Sequence, residues 1–114
     1  MPARRAKPAT HTPPSDAALD MLIADATLDA YGESEQQVGF YTMLDEHLAV
    51  PFDVAILGAT VTVERLDMSD DRIVAICRSG RSRQVLSVLD LPIPMPPPAG
   101  AEWLAAYRRW MDGK

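Results

Sequence analysis

The chain has 114 residues, 47% of them hydrophobic and 24% charged, which suits one compact domain with a modest core; a second full domain is not expected. No run approaches the roughly 18 apolar residues of a membrane span, so no membrane partner is expected. The net charge of −5 conceals an acidic body, because residues 16–90 hold fourteen acids against five arginines, a net −9. That balance excludes nucleic acid as the main partner, since such binding draws on Lys and Arg against phosphates, and it favours cations or a basic protein partner.

Residues 1–15 carry Arg4, Arg5 and Lys7, no acid, and no apolar periodicity. A disordered basic tail is expected there, followed by a single domain over 16–114. The tail has no apolar stretch that would make it a secretory signal, and the lone Cys77 requires no oxidising compartment, so the cytoplasm is the expected location.

Ser15 or Asp16 is placed to cap a first helix whose Leu19, Leu22, Ile23 and Ala26 recur at helical spacing, with Gly32 as its C-terminal stop. Its Asp16, Asp20, Asp25 and Asp29 do not share one face, so they read as solvated decoration. Ser34 and Gln37 have the spacing of a capping box that opens a second helix to Leu48, with Val38, Tyr41, Leu44 and Leu48 inward and Pro51 beyond its end. "DVAIL", Gly58 and "TVTVERL" predict a hairpin with Val61 and Val63 inward and Thr60, Thr62 and Glu64 outward. A polar loop, "DMSDD", then separates it from "RIVAICRS", which turns at Gly80 into "SRQVLSVLDL". The expected class is α+β: a small, strongly bent antiparallel sheet or SH3-like barrel with N-terminal helices and a C-terminal helix. After the proline run, Trp103, Leu104, Tyr107, Trp110 and Met111 fall along one side of that last helix.

Catalysis finds little support in these residues. Cys77 lies in an apolar strand, where cysteine behaves as a small hydrophobe, and a Cys77/His47 dyad has no third group to orient it. One Cys and two His fall short of a closed zinc site, and the isolated Gly58 and Gly80 make no phosphate loop. Carboxylates remain, and calcium takes six to eight oxygens from carboxylates, carbonyls and water. Two groupings could begin such a shell. Asp45, Glu46 and Asp53 flank a helix end, where the macrodipole disfavours carboxylates and a cation would reverse that penalty. Asp67, Asp70 and Asp71 share the polar loop, which is not an EF-hand because Arg72 stands at its sixth position and Arg78 at its twelfth. On local sequence alone, a solvated acidic turn is the preferred reading of that loop.

The stretch "YGESEQQVGFYTMLDEHLAVPFDVAILGATVTVERLD", followed by "IVAICRSG", "VLDLPIP" and "GAEWLAAYRRW", resembles the CcbP-like family of small bacterial calcium-binding proteins. The resemblance runs from Tyr31 to Trp110 and implies a cytoplasmic, acidic, non-EF-hand protein that binds Ca2+ through surface carboxylates. It attaches most directly to Asp45 and Glu46, which match the family's acidic helix end; Asp67, Asp70 and Asp71 rest on composition. The expected function is non-catalytic calcium binding, as buffer or sensor. The alternative is an acidic SH3-like module that holds a basic protein, and a third reading is a thiol enzyme built on Cys77.

The aromatic stripe yields a stability prediction. Trp103→Ala should cost ~3–5 kcal/mol, as truncation of a buried aromatic does; an unchanged unfolding midpoint in urea would place Trp103 outside the core.

Overall fold

The computed structural model describes residues 12–114. The expected basic tail lies largely outside the described residues. Helix α1 (Asp16–Ala26) is capped by Ser15, whose hydroxyl accepts from the Ala18 N–H at 3.1 Å. It stops at Ala26, earlier than the glycine signal suggested, because the Thr27 hydroxyl and amide both return to the Ile23 carbonyl and Asp29 turns the chain at φ +59°. Gly32 is instead the extended N-cap of α2 (Glu33–His47).

The predicted capping box is therefore displaced. Glu35 accepts from the Tyr31 N–H at 2.9 Å, while Ser34 leaves the helix end and donates to Asp71 Oδ1 at 3.0 Å. The inward face also differs from expectation: Val38 is half exposed, and Gln37, Phe40, Leu44 and Leu48 are buried. Gln37 can replace an apolar residue because its polar atoms are met on the helix α3 (Ala101–Asp112). The Tyr107 hydroxyl donates to its Oε1 at 2.7 Å, and its Nε2 lies 3.3 Å from Met111 Sδ. Gly39 allows α1 and α2 to meet, since a Cβ there would stand 2.0 Å from the Ala26 carbonyl oxygen.

Four strands, β1 (Phe52–Ile56), β2 (Ala59–Ser69), β3 (Arg72–Ser79) and β4 (Ser82–Ser87), form one antiparallel meander in the order β1-β2-β3-β4. β1 and β4 are its opposite edges, so of the two expected arrangements the open sheet is observed. The first turn is Leu57–Gly58, both at positive φ, the backbone a two-residue hairpin requires. The second corrects the predicted polar loop. Asp67 to Ser69 continue β2, and only Asp70 and Asp71 turn, at φ +51° and +58°. Aspartate tolerates the left-handed region well enough for "DD" to serve where Asn-Gly is usual. A bulge at Glu64, where the register shifts between Val63 and Arg65, bends β2 midway.

One sheet face carries Val54, Val61, Val63, Leu66, Ile73, Ala75 and Cys77 into the core, beneath the helices. Helix α2 lies along β2 and β3, and α1 and α3 pack against α2 and each other. The expected stripe of α3 is largely observed: Trp103, Leu104 and Tyr107 are buried, with Trp110 and Met111 packed at its margin. Phe40 meets Tyr107 edge-on at 5.4 Å and Trp110 at 4.9 Å. The final part of the fourth predicted strand is a 3-10 turn, Val88–Asp90, held to α3 by Arg108, which donates to the Val88 and Leu91 carbonyls.

The buried Gln37–Tyr107 pair sets a clear expectation. Tyr107→Phe leaves the amide oxygen of a fully buried glutamine without its donor and should cost ~1–3 kcal/mol. Denaturant unfolding of the variant checks it, and a change within error would show that the amide finds another partner.

Candidate metal site

Helix α2 runs back along β2 from the Asp70–Asp71 turn. Its first turn is tied to that turn by the Ser34–Asp71 hydrogen bond. Further along, the half-buried Tyr41 extends its hydroxyl to the Leu66 carbonyl at 3.5 Å. That stretch of β2 has a free edge, because β1 pairs only with Ala59 to Val63. Tyr41 therefore bridges α2 and the unpaired edge of β2.

Two of the six predicted carboxylates bear on the Tyr41 phenol through their charge: Asp45, one turn beyond it on α2, and Asp67, next to Leu66 on β2. The exposed Asp67 side chain alternates with buried Leu66 and lies on the strand face it shares with Arg65. The phenol pKa is raised first by burial, then by the charges of Asp45 and Asp67, with Arg65 opposing. The Tyr41 hydroxyl thus sits against a backbone carbonyl and within reach of the charge of two carboxylates and one arginine. Arg65 already pairs with Asp67 at 3.6 Å, both side chains being well exposed, and the Asp67 Oδ1 also accepts from the Met68 N–H at 2.8 Å.

The other four sit elsewhere. Glu46 follows Asp45 by one residue, about 100° around the helix, and lies 3.9 Å from His47. Asp53 accepts from the Thr62 hydroxyl at 2.6 Å on the β1–β2 ladder. Thr62 and Asp67 are five residues apart on β2, so Asp53 and Asp67 are separated by about 15 Å. Asp70 and Asp71 stand at the opposite end of α2, and the rise from Ser34 to Asp45 amounts to about 16 Å. Among the described residues no group of three or more His, Cys, Asp or Glu side chains is arranged to hold a metal ion.

Other ionic contacts fix the helices. Arg109 of α3 clamps Asp20 of α1 at 2.8 Å and reaches Asp16 at 3.5 Å; its hydrogen bond is the main cause lowering the Asp20 carboxyl pKa. Lys114 meets Glu33 at 2.9 Å. No local signal announced these pairs, which join residues 81 to 93 positions apart in sequence. Cys77 is fully buried, and burial raises its thiol pKa. His47 is stacked on Trp103 at 5.3 Å, and the Cys77 thiol contacts the Ala75 carbonyl instead. Among the described residues no helix is long and apolar enough to cross a membrane.

No family model and no curated protein matches the chain. Its fold is similar to that of a solved calcium binding protein in the calcium-binding form, with a TM-score of 0.68 and 19% identity over 86% of this chain and 92% of that one.

Proposed function

We propose that the protein is a CcbP-like calcium-binding protein that holds the ion, without catalysing a reaction, between α2 and the free edge of β2. The observation that carries this reading is that Tyr41 links α2 to the Leu66 carbonyl on the unpaired edge of β2 and feels the charge of one carboxylate from each element, Asp45 and Asp67. The likeness in fold to a calcium binding protein supports it. Asp45 and Asp67 are the proposed anchors, with the Leu66 carbonyl as a neutral oxygen and Glu46 as the nearest further carboxylate along the helix. Asp53, Asp70 and Asp71 are left outside this shell by their distance from it.

Two carboxylates and few neutral oxygens leave most of the coordination to water. Calcium affinity rises with the number of charged ligands, so the expected dissociation constant falls in the weak range, about 10⁻⁴ to 10⁻³ M. Arg65 competes with the ion for Asp67. The same reading extends to a cytoplasmic buffer or sensor, a setting that suits a free, buried thiol.

Calorimetric titration of chelator-stripped protein, with magnesium in excess, tests the proposal. Asp45→Asn combined with Asp67→Asn should abolish saturable calcium binding, whereas Asp70→Asn combined with Asp71→Asn should leave it intact. Arg65→Gln should tighten binding by up to about fivefold, the scale of one exposed ion pair. Binding that survives the first pair of substitutions sinks the site; absence of saturable binding in the unmodified protein sinks the function.

A metal-free check addresses the geometry alone. With Asp45 and Asp67 both changed to asparagine, the Tyr41 phenol should titrate below its value in the unmodified protein yet stay above the ordinary tyrosine range, because burial is the larger cause. Tyrosine-ring NMR across the alkaline range reads this directly. An unmoved titration would mean that the two carboxylates do not face the ring.

A further inference from the structure

Four of the five arginines of residues 16–90 lie on strands and the fifth, Arg81, in the β3–β4 turn, so that Arg78, Arg81 and Arg83 gather about this hairpin. Glu64, beside them at the β2 bulge, is shared by Arg78 at 3.0 Å and Arg83 at 3.8 Å. Arg81 has no ion pair among the described residues, so the patch keeps a positive excess. The other nearby acid on this face, Asp53, stands at the far edge and is tied to Thr62.

The hairpin turns through Gly80 and Arg81, with Ser79 paired to Ser82. Residues flanking a two-residue turn exchange both hydrogen bonds, and the pattern then alternates along the strands. Arg83 and Val85 are therefore non-hydrogen-bonded partners of β3, and their N–H and C=O groups point away from the sheet. No backbone partner outside the ladder meets those groups among the described residues. The residues from Ser82 to Val85 are all exposed, Val85 by 59%.

An open edge of this kind invites strand addition. Antiparallel pairing with a second copy would crowd the arginines of both chains into the same short strip, and like charges across a ladder are destabilising. The charges that repel a second copy complement an acidic strand. We propose that the outer edge of β4 docks an extended acidic segment of another protein, which adds as a fifth strand. Its carboxylates would meet Arg78, Arg81 and Arg83, and one of its apolar side chains would cover Val85. This surface is independent of the calcium reading.

The test uses the full chain in the presence of chelator and a short fluorescein-labelled peptide of the repeat Glu-Thr-Val-Thr, whose glutamates and valines share one strand face as Arg83 and Val85 do. Fluorescence anisotropy should rise saturably with this peptide and not with the counterpart carrying lysine for glutamate. Val85→Pro removes an outward N–H without touching the β3 ladder, as proline is tolerated on edge strands. It should weaken binding about tenfold or more, and Arg81→Glu combined with Arg83→Glu should do the same. Should Val85→Pro fail to fold, alternate N-methylation of the peptide backbone, tested on the unmodified protein, must abolish binding. No saturable binding, or affinity untouched by both Val85→Pro and N-methylation, overturns the proposal. So does sedimentation of the protein as a dimer that Val85→Pro dissolves, which would make a second copy the occupant.

Discussion

The position of α2 governs the rest of the molecule, and it is fixed by a buried polar contact within an aromatic cluster. Gln37 sits at the centre of the helical layer with no solvent exposure, and its amide oxygen is satisfied by the Tyr107 hydroxyl of α3. One turn further along α2, Phe40 packs against Tyr107 and Trp110. A hydrogen bond of this kind contributes little net energy but is expensive to leave unmade, so it discriminates strongly between registers of α2 on α3. With α2 held there, Ser34 reaches Asp71, Tyr41 reaches Leu66, and Asp45 and Asp67 both act on the Tyr41 phenol.

Charge is distributed unevenly around this frame. From Asp16 to Val50 the chain has eight carboxylates and no Lys or Arg, while the arginines of the body begin at Arg65. The helical layer is therefore acidic, and the solvent face of the sheet is where the cations concentrate. Part of the helical charge is neutralised by the end of the chain, through Arg109 on Asp16 and Asp20 and Lys114 on Glu33. These exposed pairs add little to stability individually. Their effect is to reduce repulsion among the acids of α1 and the start of α2, leaving Asp45 and Glu46 at the other end without an Arg or Lys partner among the described residues.

How far the sequence revealed this arrangement depended on whether a signal was local. Ser15 announced its helix because a cap and its amide are three residues apart, and Gly58 and Gly80 announced their turns because positive φ is a single-residue property. The stripe from Trp103 to Met111 was legible because α3 has one apolar side. Gln37 was missed in favour of Val38, since a glutamine is buried only if a partner waits for it, and that partner lies 70 positions away. Asp70 and Asp71 were grouped with Asp67 because three acids in five residues resemble a loop. In a tight hairpin the same spacing sends Asp67 down the strand, away from the turn. The link from Tyr41 to Leu66 was hidden for the same reason as Gln37, because it depends on how a helix lies against a strand.

This dependence bears on what a bound ion could do. Asp45 belongs to α2 and Asp67 to β2, so an ion bound by both, as proposed, would couple to the helix–sheet spacing and stabilise the folded chain by mass action. The spacing is already set on either side of Tyr41, by the Gln37–Tyr107 contact toward the helix N-terminus and by the buried Leu44 and Leu48 toward its end. A close-packed layer does not yield continuously to a small pull. An ion bound as proposed would therefore be met by rearrangement of side chains and water while the backbone keeps its place.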